Sequence, residues 1–70
     1  MEIYGKVNKE TSNGVAFIND QQYVWKRYNT DDENVDVLCV EYPDGRNYET
    51  YYNPFQEEFR HALDRILPAL

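Results

Sequence analysis

The sequence predicts an α+β domain: an antiparallel meander sheet of about five short strands with one C-terminal amphipathic helix packed on one face. Three observations predict it. Turn residues at Asn13-Gly14, Asn19-Asp20-Gln21 and Pro43-Asp44-Gly45 interrupt stretches rich in β-branched and aromatic residues. After Asn53 the apolar spacing changes from the period of a strand to the period of a helix. Seventy residues with a single Cys allow one domain, residues 1–70, and no internal disulfide.

The elements follow in order. Residues 2–7 read as a strand, with Ile3 and Val7 alternating with Glu2 and Lys6. Asn13-Gly14 predicts the first hairpin turn, because both residues tolerate positive φ. Residues 15–18 form the return strand and Asn19-Asp20-Gln21 a second turn. Residues 23–28 form a third strand, with Tyr23, Trp25 and Arg27 on one face and Val24, Lys26 and Tyr28 on the other. Residues 30–34 are a polar loop.

Residues 35–42 and 46–52 form the last hairpin. Pro43 presets φ for its turn position, and Gly45 takes the left-handed bulge position. A three-residue loop sets Tyr42 opposite Arg46. Leu38, Val40, Tyr42, Tyr48, Thr50 and Tyr52 then share one face. Val35, Val37, Cys39, Glu41, Asn47, Glu49 and Tyr51 share the other. Both faces are partly apolar, so the sequence leaves open which one the helix covers.

The spacing predicts a helix over 54–67. Asn53 is its N-cap, Pro54 its first residue, and Gln56 closes a capping box. Phe55, Phe59, Ala62, Leu63, Ile66 and Leu67 form its apolar stripe. Glu57 and Glu58 in the first turn and Arg65 in the last match the helix dipole, and Pro68 ends the helix.

Charge is the strongest functional signal. The chain carries −6, unevenly placed. Residues 1–30 hold four basic and three acidic side chains, a balance of +1, whereas residues 31–70 hold three basic and ten acidic, a balance of −7. Such a field attracts basic surfaces and repels phosphate, so the expected partner is a protein with a basic surface, and direct nucleic-acid binding is disfavoured. The candidate partner-binding residues are Asp31, Asp32, Glu33, Glu41, Asp44 and Glu49, with Tyr51 and Trp25 as aromatic anchors.

The expected function is therefore a small non-catalytic protein-binding module. It would act as an inhibitor or adaptor of a nucleic-acid-handling protein, with acids that imitate a phosphate row. Phage anti-defence proteins and nuclease immunity proteins are the settings in which that type occurs. The bland reading of the same acids is solubilising charge.

Two rivals stand beside it. The basic–aromatic stretch 23–28 suits a peptide-binding barrel using Trp25 and neighbouring Tyr rings, since SH3-like barrels and methyl-lysine readers share this order of elements. An exposed edge strand and a second apolar sheet face suit a structural homo-oligomer.

Nothing points to an enzyme, a metal or a cofactor. His61, the only His, lies on the polar helix face among Glu57, Glu58 and Asp64 with no nucleophile beside it. Residues 31–34 lack calcium-loop spacing, and the three glycines are too far apart to cradle phosphate. Cys39, flanked by Leu38 and Val40, reads as a small buried hydrophobe. Residues 1–3 do not open a signal peptide, and no apolar run reaches membrane-spanning length, so the expected location is cytoplasmic.

Overall fold

Two adjacent residues with positive φ decide where the chain first turns. Asn19 (φ 50°) and Asp20 (φ 65°) both adopt the left-handed conformation of a type I′ two-residue loop. In a computed structural model, which describes residues 7–68, they join β1 (Val7–Ile18) to β2 (Gln21–Thr30). β3 (Asp36–Glu41), β4 (Asn47–Tyr52) and α1 (Phe59–Ile66) follow. The sheet order is β1-β2-β3-β4, and every neighbouring pair is antiparallel.

The sheet thus has four strands, where the sequence predicts about five. The turn expected at Asn13-Gly14 is absent, because β1 runs straight through both residues. Gly14 lies opposite Trp25, and a Cβ built on it would come within 2.5 Å of the indole. The glycine admits a ring and bends nothing. The strand expected over 2–7 falls outside the described residues except for Val7, where β1 begins. β1 also carries register shifts between Val7 and Lys9 and between Glu10 and Ser12.

The last hairpin forms in the expected register. The Tyr42 amide donates to the Arg46 carbonyl at 2.8 Å, the Gly45 amide donates to the Tyr42 carbonyl at 2.9 Å, and Gly45 has φ 91°. Leu38 faces Thr50 and Val40 faces Tyr48 across the pair. Asp44 closes the loop by accepting the Arg46 amide and guanidinium, at 3.1 and 2.7 Å.

The α-helix starts at Phe59, five residues later than predicted. Asn53 does accept the Phe55 amide on its side chain, at 2.9 Å, but residues 53–57 form a separate turn. Phe55 stays outside the stripe and is 73% exposed. Glu58 is the N-cap and makes no side-chain cap bond; Arg65 occupies the last turn as expected. A first turn bearing Phe59 lets that ring meet Trp25, at 5.3 Å between centroids.

The helix covers the face bearing Leu38 and Val40. Tyr23, Leu38, Val40, Tyr52, Ala62 and Leu63 form the buried core, with Ala16, Ile18, Trp25, Tyr42, Phe59, Ile66 and Leu67 packed around it. The helix lies over β3 and β4. Trp25, over Gly14 and against Phe59, extends the cover towards β1. Each fully buried aliphatic side chain contributes roughly 1.5–3 kcal/mol, so Leu38 and Val40, both at 0% exposure, anchor the layer.

Polar groups tie the same layer together. The Tyr42 hydroxyl donates to the Ile66 carbonyl at 2.6 Å, occupying an acceptor that a helix end leaves without an intrahelical partner. Arg27 donates from Nε to the Tyr52 hydroxyl at 3.0 Å, lies 4.0 Å from the Asp36 carboxylate, and stacks its guanidinium 4.6 Å from the Phe59 ring centre. Burial raises the Asp36 pKa, and the Arg27 charge and the Tyr52 hydrogen bond only partly offset it.

Candidate protein-binding face

Strand alternation sends the remaining side chains to the opposite face of the sheet. Cross-strand register sorts them into rows: Val15, Val24, Glu41 and Asn47; Asn13, Lys26, Cys39 and Glu49; and Glu10, Tyr28, Val37 and Tyr51. Phe17 stands at the β1 end of this face, opposite Gln22. Among the described residues no helix covers these rows. Val15 is 46%, Phe17 68% and Tyr51 43% exposed. Val37, between Tyr28 and Tyr51, is nevertheless buried. Its two aromatic neighbours shield it, as directly opposed cross-strand pairs do.

A shallow groove crosses the middle of this face, lined by Val24, Lys26, Tyr28, Cys39, Glu41 and Asn47. Cys39 is half-buried here and not deep in the core. Desolvation raises its thiol pKa first and Glu49 raises it further, while Lys26 pulls the other way. A thiol so placed is a poor nucleophile at neutral pH.

The structure separates the residues that the sequence grouped. Glu41, Glu49 and Tyr51 share the uncovered face. Asp31, Asp32 and Glu33 lie in the β2–β3 loop at one end of the sheet, and Asp44 lies in the β3–β4 turn at the other. The length of β3 sets these ends roughly 20 Å apart. Trp25 belongs to the helix side, half-buried against Phe59 and Gly14. It lies on the opposite face from Glu41, Glu49 and Tyr51, a difference that the β2–β3 register reveals by setting Trp25 opposite Val40.

The acidic loop is built, and its acids are not equivalent. Thr30, buried, donates from its hydroxyl to the Val35 carbonyl at 2.8 Å and accepts the Asp32 amide at 3.1 Å. The Asp32 carboxylate accepts the Asn34 amide at 2.9 Å, and its carbonyl accepts the Val35 amide at the same distance. Asp31 accepts from the Asn8 side chain at 2.8 Å. All three are exposed, but the Asp31 and Asp32 carboxylates accept hydrogen bonds from Asn8 and from the Asn34 amide. Asp44 is held below the usual carboxylate range, chiefly by the Arg46 amide and then by the Arg46 side chain. Its paired charge presents less field than an isolated one.

Phe17 and Val15 are surface residues that the sequence reading misses, because it places them on a short strand after a turn that does not form. His61 is exposed, with Nδ1 4.0 Å from Glu57, and Glu57 also pairs with Arg65. Among the described residues no group of three His, Cys, Asp or Glu side chains is placed to hold a metal, and no helix is long and apolar enough to cross a membrane. The chain matches no protein-family model, no curated protein and no solved structure.

Proposed function

We propose that this chain is a non-catalytic protein-binding module that docks its uncovered sheet face on a partner surface rich in Lys and Arg. The observation that supports it most is the composition of that face: exposed Val15, Phe17 and Tyr51 beside Glu41 and Glu49. Apolar and aromatic side chains supply short-range affinity, and the acids steer encounter with a basic surface. The second-half balance of −7 extends that field beyond the contact itself.

A partner that handles nucleic acid fits this chemistry, because its basic groove accepts a negative surface in place of phosphate. The module then acts as an inhibitor or adaptor and carries out no reaction.

The test is capture of binding proteins from lysate by the tagged chain and by a Glu41→Lys/Glu49→Lys variant, at low and high salt. A basic protein held by the parent chain, released by salt and missed by the variant, is the expected result. Capture that neither salt nor charge reversal changes overturns electrostatic docking.

A further inference from the structure

The sheet has two edges, β1 and β4, and they are finished differently. At β4 the outward carbonyl of Tyr51 accepts the Arg65 guanidinium at 3.2 Å, so a helix side chain caps that edge. β1 has no such cover among the described residues. In a two-residue hairpin the flanking pair, Ile18 and Gln21, exchanges hydrogen bonds, and bonded and non-bonded pairs then alternate. Gly14, Ala16 and Ile18 therefore bond to β2. Asn13, Val15 and Phe17 point their amides and carbonyls away from the sheet.

The register shifts of β1 lie at its other end, between Val7 and Ser12, which leaves 13–18 as a regular, unbulged edge. That segment, Asn13-Gly14-Val15-Ala16-Phe17-Ile18, carries no charge and no proline, the two usual edge protections.

We propose that this edge pairs antiparallel with the same edge of a second copy of the chain, making one continuous eight-stranded sheet about a two-fold axis. Charge selects the occupant. The β1–β2 side belongs to the half with a balance of +1, and the −7 half lies across the sheet except for Asp31, which meets β1 at Asn8, at the other end of the strand from 13–18. Strands are about 4.8 Å apart, so β4 of each copy sits more than a Debye length of about 8 Å from the joining edge. Two copies thus meet on their least charged sides. A strongly basic or acidic strand gains nothing from an uncharged edge, whereas this segment complements itself. Antiparallel pairing also sets Val15 and Phe17 of one copy beside those of the other on a shared face, burying apolar surface that each copy exposes. Val15 and Phe17 also belong to the face proposed for docking, so the two readings share them; self-pairing is tested with no partner present, and its failure leaves Glu41, Glu49 and Tyr51 available to that docking.

Sedimentation equilibrium of the full chain from micromolar to millimolar concentration, with amide exchange on the same samples, tests it. The mass is expected to rise from 8.4 kDa towards twice that value. Exchange at Asn13, Val15 and Phe17 should slow with concentration, while Gly14 and Ala16 stay slow throughout. Val15→Pro removes an outward amide without touching the β1–β2 ladder, and Phe17→Lys adds an edge charge. Each should weaken association at least tenfold. A parent chain that stays monomeric at millimolar concentration overturns the proposal. So does a dimer whose Asn13, Val15 and Phe17 amides exchange at an unchanged rate, or one that survives Phe17→Lys.

Discussion

The two faces of one sheet use the same kinds of residue for opposite ends. On the covered face Tyr23 and Tyr52 are buried, and Tyr42 spends its hydroxyl on the helix. On the other face Tyr51 and Phe17 remain exposed, and the acids Glu41 and Glu49 stand in line with Val24 and with Cys39 and Lys26. Burial with satisfied polar groups makes the first face the source of stability. Exposure and charge leave the second with little part in that packing.

Truncation on each side should separate the faces most sharply. Leu38→Ala deletes a fully buried side chain and should cost roughly 2–5 kcal/mol. Phe17→Ser on the open side should stay within about 0.5 kcal/mol. Urea melts of the two variants measure both, and equal losses would erase the distinction between the faces. Gly14→Ala comes next, because its Cβ meets a ring that Phe59 backs from elsewhere. Overpacking of this kind costs about 1–3 kcal/mol. A thermal melt unchanged from the parent would mean that Trp25 can leave Gly14 freely.

A smaller loss is expected from Tyr42→Phe, about 0.5–1.5 kcal/mol for one hydrogen bond. Faster amide exchange at the end of α1 would place that loss at the helix terminus. The smallest effect is electrostatic and depends on pH. Burial raises the Asp36 pKa in the folded chain, so the protonated carboxyl is the form that folding favours. Its contribution is fully present below the ordinary carboxylate value, about pH 4, and is lost as pH rises through the raised value. The stability of the parent relative to Asp36→Asn should therefore fall as pH climbs from below 4 to neutrality. A difference that moves the other way would mean that Arg27 outweighs burial.

The sequence exposed the β3–β4 hairpin almost completely. Pro43, Asp44 and Gly45 each have a local reason for their place, and the loop length fixes every pair behind them. The faces of that hairpin, and the grouping of Glu41, Glu49 and Tyr51, followed from alternation alone. Asn13-Gly14 misled because its local preference for a turn is real but weaker than a long-range contact. Trp25 needs a residue without Cβ opposite it, and Asn19-Asp20 serves the turn instead. The helix start was hidden for a related reason. Asn53 makes a local bond like that of a cap, yet the first turn that packs on the sheet is the one carrying Phe59. Which face the helix covers was not legible, since both faces of the hairpin carry apolar residues and only the assembled Trp25, Phe59 and Arg27 contacts select one.

The placement of Trp25 has a practical consequence. It is the only Trp in the chain, and its indole sits on the covered side between Gly14 and Phe59. Its emission is therefore a reporter of helix docking, with no other fluorophore of its kind to confuse the signal. Loss of the helix from the sheet should shift it to the red as water reaches the ring. A partner docked on the far side of the sheet, as proposed above, would leave that emission unchanged, so an optical titration and a binding isotherm would read two separate surfaces of the same small protein.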